Sequence, residues 1–299
     1  MVDFNVLNAM RCRLGEGPVW VESSGELWWM DIHRGSFHRQ VWPGGPVATH
    51  KLSERSTLVV PCADGSAITS VQKGLCRVPE SGPVGPPVVV IEPDTPQTSV
   101  NDGKVGPDGR LYFDSLDRAE RPGLCGLYRL DDDLVARPLL TGVTLGNGLD
   151  WSPDGSVMYF VDSRRQQVYA MDFDPGAGTV ASRRVLAEVD PDDGMPDGMT
   201  VDEAGNLWVA LYGGARLHHY APDGRLLDVV PTPVRYPTSC GFAGPGLATL
   251  VVTTAFAHLE DAGEPISDID GAVLTAAAGV AGRRPVLCRT PLPLNPSKE

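Results

Sequence analysis

The chain is predicted to be all-β: a six-bladed β-propeller in which each blade is a four-stranded antiparallel sheet. Three observations carry this. A turn glycine followed by an apolar strand recurs six times, at Gly25, Gly65, Gly109, Gly155, Gly205 and Gly244 or Gly246, with spacings of 40, 44, 46, 50 and, counted to Gly244, 39 residues. Each copy is followed by another short strand, and helical periodicity is nearly absent. The 34 glycines and 27 prolines are spread along the whole chain, as many short strands joined by turns require. Repeats of this length with four strands each are the arithmetic of a propeller blade.

The elements follow in order. The second strand of each blade begins after the turn glycine: ELWWMDI, SAITSV, RLYFDS, SVMYFVDS, NLWVAL and LATLVVTT. Third strands read SFHRQV, GLCRV, GLYRL, QVYAMDF, RLHHY and GAVLTA, and PVVVIE and SRRVLAEV read as fourth strands. The early segment FNVLNA is expected to close the ring beside the last blade, near RPVLCRT. One propeller domain would then occupy residues 1–299.

Composition narrows the function. A net charge of −13 argues against nucleic acid as partner, because phosphate binding needs a basic surface. No apolar run reaches the ~18 residues that span a bilayer, and the N-terminus lacks the pattern of a signal peptide. The six cysteines have no metal-site spacing and read as buried thiols of a cytoplasmic protein. The expectation is a monomer or weak homo-oligomer acting on a small molecule.

First strands of a propeller line its central channel. Counting back from the turn glycines, Asn101, Asn147 and Asp197 each lie eight residues before theirs, and Glu16 lies nine before Gly25. Asp197, in PDGMT, alone reads as a turn aspartate, since Asp-Gly is a common turn dipeptide. As one of a set at equal depth, it faces Glu16, Asn101 and Asn147 across the axis. Two carboxylates buried together need relief: either one holds a proton or a cation lies between them. Oxygen-only ligands suit a hard divalent ion, Ca²⁺ first, with Mg²⁺ or Mn²⁺ as alternatives. His218 and His219 read as surface or packing residues, His258 lies in a long loop of the last blade within reach of the channel mouth but reads first as a loop residue, and no nucleophile elbow surrounds Ser115 or Ser239.

The stretches LGEGPVW (14–20), NDGKVGPDGRLYF (101–113), NGLDWSPDGSVMYFVDS (147–163), PDGMTVDEAGNLWVALYGGARL (196–217) and TSCGF (238–242) resemble the family of regucalcin (senescence marker protein), gluconolactonases and luciferin-regenerating enzyme. The resemblance implies a six-bladed propeller, one divalent metal held by Glu16, Asn147 and Asp197, and Asn101 beside it toward substrate. It also implies hydrolysis of a lactone such as a sugar-acid lactone; metals in the family vary and include calcium, zinc, manganese and iron. Asp197 is the expected general base as well as a ligand, with Asp102 second. The chain departs from the family pattern at Ser99, where sugar lactonases often carry arginine, and at Asp114, Ser115 and Leu116. Ser99, Asp102, Asp114 and Arg118 are the remaining candidate substrate contacts. Two other readings accompany this one: a metal-dependent tailoring enzyme of a biosynthetic route, and a non-catalytic calcium-binding regulatory propeller.

Overall fold

Every turn glycine singled out above adopts a positive φ, between 62° and 88°, a conformation that a side chain strains. Each such turn joins two strands, and the computed structural model, which describes residues 2–52, 55–79 and 84–294, arranges them as six four-stranded antiparallel sheets in a ring. Blade 1 comprises Gly15–Val21, Glu26–Asp31, Ser36–Val41 and Val47–Lys51. Blade 2 is the shortest: Val59–Pro61, Ala67–Val71, Gly74–Arg77 and Val89–Val90. Blade 3 runs through Thr98–Val105, Leu111–Asp117, Cys125–Leu130 and Ala136–Val143. Blade 4 runs through Gly146–Trp151, Val157–Asp162, Gln167–Asp174 and Thr179–Glu188. Blade 5 runs through Met195–Val201, Leu207–Tyr212, Arg216–Tyr220 and Leu226–Pro231. The fold is the expected six-bladed propeller.

Blade 6 is closed by the other end of the chain. Pro237–Ala243, Thr249–Thr254 and Leu274–Ala277 take Asn5–Val6 as their outer strand, with Asn5 opposite Thr275 and Val6 opposite Leu274. The N-terminal segment therefore does close the ring, but against Leu274–Ala277 rather than near RPVLCRT. That later segment has another place. Gly282 bridges Asp202 of blade 5, Arg283 Nη1 donates to the carbonyl of Trp151 of blade 4, Cys288 bridges Cys62 of blade 2, and Arg289 N donates to the carbonyl of Gly109 of blade 3. Residues 282–289 thus form a strap over the turns of four blades.

Cores lie between adjacent blades. Trp151, fully buried, meets Tyr112 of blade 3 edge-on at 5.1 Å and Phe173 of its own blade at 5.8 Å. Such contacts add about 0.5–1.5 kcal/mol each beyond area burial. All six cysteines are buried and unpaired. No helix of the described residues is long and apolar enough to cross a membrane.

Trp151→Ala should lower unfolding stability by roughly 3–5 kcal/mol, because the space between blades 3 and 4 cannot collapse around a ring locked on both sides. Urea denaturation followed by tryptophan fluorescence and circular dichroism checks this; a loss under about 1 kcal/mol would place the core elsewhere.

Candidate functional site

Four of the six first strands carry the same irregularity at the same depth. Their pairing with the second strand slips between Glu16 and Val19, Val100 and Gly103, Gly146 and Leu149, and Pro196 and Met199. These are β-bulges, which re-aim a side chain within a strand. Asp197 is therefore not a turn residue: Met195–Val201 is continuous strand, and the bulge turns Asp197 toward the axis. The glycine after it allows a close approach of blades. A Cβ on Gly198 would fall 2.1 Å from Ser239 Oγ, and one on Gly148 would fall 2.5 Å from Met199 N. The first strand of blade 2, Val59–Pro61, pairs regularly and supplies no such residue. Blade 6 slips between Pro237 and Ser239, but the Thr238 hydroxyl there donates to the carbonyl of Gly15 and ties blade 6 to blade 1.

The bulges deliver Glu16, Asn101, Asn147 and Asp197 to one cavity of about 290 Å³ at one end of the channel. Asn101 Nδ2 donates to the carbonyl of Gly146 at 2.8 Å, and Asn147 Nδ2 donates to Ser163 Oγ at 3.2 Å. Both amide nitrogens are held by neighbours, so the amide oxygens remain available as ligands. Leu14, Leu116, Leu145 and Met195 give the wall apolar surface, and Tyr212 adds a hydroxyl 3.1 Å from His258 Nδ1. Ser99 and Arg118 line the same cavity.

Asp102 and Asp114, expected against substrate, do not line it. Asp114 is fully buried, and its Oδ1 accepts the Asp102 N–H at 3.1 Å. Asp102 Oδ1 accepts the Gly103 N–H at 2.7 Å. Ser99 and Asn101 face the cavity, so Asp102, one residue on, leaves that face, and Asp114 lies on the second strand, Leu111–Asp117, behind the first. His33, Arg55, Thr57 and Tyr212 line the cavity without any signal in the sequence that places them there. They come from segments outside the bulged strands; Tyr212 falls in the family-like stretch 196–217 without being singled out there, and no motif marks the other three. Ser115 is not a nucleophile; its hydroxyl donates to Glu92 Oε1 and accepts from Gly126 N.

The electrostatics are one-sided. The Glu16 carboxyl is pushed well above its usual range by burial first, then by Asp197 and Asp102. Burial and the Asp102 charge do the same to Asp197. Asp114 is raised by burial and Asp102, and Asp102 by burial, with the Gly103 N–H and then Lys104 pulling it back. Lys104 is engaged one layer deeper, 2.6 Å from Asp150 Oδ2. Burial opposes ionisation of Asp150, but Lys104 and Arg283 prevail and hold it below the usual carboxylate range. Glu16 and Asp197 thus face each other with Asp102 below them, in a volume that favours a positive charge. An all-oxygen donor set with excess negative charge is what a hard divalent ion takes, and the residues present fit one.

A family model described as "SMP-30/Gluconolactonase/LRE-like region" matches residues 14–256. The chain belongs to this family. Regucalcin of Oryctolagus cuniculus is 32% identical over 82% of this chain and 84% of its own. Pentonolactonase XacC of Haloferax volcanii is 32% identical over 91% of this chain and 93% of its own. A solved structure described as a calcium-binding protein, regucalcin from Agrobacterium tumefaciens, superposes with a TM-score of 0.89 at 26% identity, covering 96% of this chain and 98% of that one. In this member of the SMP-30/gluconolactonase/LRE-like family, the four bulged axial strands, the carboxyl cluster and the cavity all lie within the matched residues.

Two outcomes test the site. Carboxyls whose folded pKa lies above the unfolded value favour the folded state while protonated; that advantage fades as pH rises through the shifted range. Metal-free protein should therefore melt at progressively lower temperature between about pH 5 and pH 8, and added divalent ion should raise the melting temperature more at the higher pH. A melting temperature that does not move with pH would contradict the buried cluster. Gly198→Ala, which forces blades 5 and 6 apart, should lose roughly 1–3 kcal/mol and weaken metal affinity in the same protein, read by calorimetry.

Proposed function

We propose that the protein is a divalent-metal-dependent hydrolase that opens a lactone, with Glu16, Asn147 and Asp197 holding the ion. The observation that carries this is the convergence of three bulged strands on one cavity, where half-buried Glu16 and buried Asp197 meet with excess negative charge. The names of relatives such as the pentonolactonase support the reaction class. Ca²⁺ is the ion that the oxygen-only set suits best. The regucalcin structure's description as calcium-binding supports the same choice.

When bound, the ion supplies Lewis acidity that polarises the lactone carbonyl. The protein supplies the rest. Asp197 takes the proton from the attacking water as the new C–O bond forms. The ring C–O bond then breaks, and the departing alkoxide oxygen recovers a proton from Asp197, leaving a hydroxy acid. Asn101 and Ser99 orient the substrate's oxygens from the blade 3 side of the cavity, and Arg118 stands at the rim. The leucines and Met195 keep bulk water from the ring. Asp102 and Asp114 act from behind the wall, by adding negative charge to the cluster.

Asp197→Asn should reduce kcat by on the order of 10²–10⁴-fold on any lactone the wild type opens, read as acid release. Glu16→Gln should lose bound metal and activity together. Chelation should abolish turnover and restored metal should recover it. Wild-type turnover in purified Asp197→Asn protein would remove Asp197 from the reaction. One tightly bound ion with no turnover across a lactone panel would move the assignment to a non-hydrolytic member of the same scaffold.

A further inference from the structure

The loop entering blade 1 brings together a second set of ligating groups, none of which lines the mouth cavity. Cys12, Asp31 and His38 are 1%, 0% and 4% exposed, and one donor atom of each lies within 4.8 Å of the others. Asp31 ends the second strand, His38 lies in the third, and Cys12 precedes the first. His38 Nδ1 is 2.9 Å from Thr49 Oγ1, whereas its Nε2 is buried without a hydrogen-bond partner. A polar atom left so costs about 1–3 kcal/mol. In the tautomer with Nδ1–H donating to Thr49, Nε2 presents a lone pair, which is how a ligating histidine is held.

Asp31 already has tasks. Its carboxylate accepts the backbone N–H groups of Arg13, Leu14 and Arg34, tying the loop to the blade, and pairs with Arg34 Nη1 at 3.2 Å, as Asp162 pairs with Arg165 in blade 4. Blade 4 performs those tasks alone: Asp162 accepts the N–H groups of Thr144 and Leu145. At the place matching Cys12, four residues before the axial residue, blade 4 has Val143. At the place matching His38, opposite Phe160 as His38 is opposite Trp29, it has Tyr169. The loop tie therefore needs neither thiol nor imidazole, and blade 1 alone of this pair adds both.

We propose that Cys12, Asp31 and His38 form a second metal site, one that takes a borderline divalent ion of the Zn²⁺ class and braces blade 1. Thiolate and imidazole select such an ion over the hard cation suited to the mouth. Bonds of about 2.0–2.3 Å to a tetrahedral ion set donors roughly 3.3–3.8 Å apart, which lies inside the 4.8 Å span of the three donor atoms. The hydrogen bonds to Asp31 orient a ligating carboxylate in the way outer partners do. Burial holds the His38 imidazole neutral, down to about 4, so that ring has no proton to lose; the Cys12 thiol, pushed up to about 12, gives up its proton on binding. The ion would link the entry loop to the second and third strands, four residues ahead of Glu16.

The test uses Co²⁺ as a spectroscopic probe in Glu16→Gln/Asp197→Asn protein, where the mouth set is disabled. The expected result is one bound Co²⁺ per chain with a thiolate-to-cobalt absorption band in the near ultraviolet. Cys12→Ser and His38→Gln, each added to that background, should both lose the band and the bound ion. Folded parent protein that binds no Co²⁺, or binds it without the band, overturns the proposal. So does a band that survives His38→Gln. Because the folded parent protein alone can overturn the proposal, a variant that fails to fold does not shield it.

Discussion

Burial of like charge at the channel mouth is the constraint on which the rest of the molecule turns. Glu16, Asp102, Asp114 and Asp197 influence one another's ionisation, with Asp114 and Asp197 buried and Glu16 and Asp102 half-buried. No globular core tolerates this by packing alone. The propeller resists it because the carboxyls are anchored on three different blades, and each blade is fixed by an apolar interface with its neighbours. Closing the ring is therefore an electrostatic matter as well as a topological one: the strands that repel at the axis are held in place by the cores outside it.

The bulges are how backbone geometry serves that arrangement. A regular strand would present alternate residues to the channel and leave the others within the blade. Slipping the register beside Glu16, Asn101, Asn147 and Asp197 re-aims each at the axis while the following residues resume pairing. Glycine follows Glu16, Asn147 and Asp197 directly because the neighbouring blade leaves no room or the backbone turns left-handed there. Gly17 has φ 53°, and Gly198 lies against Ser239. One layer deeper the chemistry reverses: Lys104 pairs with Asp150, and the channel becomes charge-balanced.

Much of this was legible in the chain. Turn glycines at nearly even spacing repeat a local hairpin chemistry, so the blade count could be read directly. The axial set was legible for the same reason, since equal offsets mean equal depth. Less local features were not. Asn-Gly and Asp-Gly have the same composition in a turn and in a bulge, and only the strand pairing distinguishes them. Asp102 and Asp114 were named for their places beside Asn101 and in the segment that departs from the family pattern, and neither place says which face a side chain takes. FNVLNA had two short apolar segments to choose between, with no turn to link it to either. Tyr212, His33 and Arg55 reach the cavity from different segments; nothing near His33 or Arg55 signals it, and the stretch around Tyr212 marks the family without marking that side chain.

The strap over residues 282–289 gives the channel a direction. Arg283, Arg284, Pro285 and Val286 roof a small chamber of about 90 Å³ below the carboxyl layer, together with Lys104, Asp150 and Thr200. The two faces of the ring therefore differ in charge: the mouth carries the acidic set, whereas the strap brings Arg283 and Arg284 to the other side, Arg283 within 3.9 Å of Asp150. Repeated blades alone would leave the two faces alike, and one crossing segment breaks that equivalence.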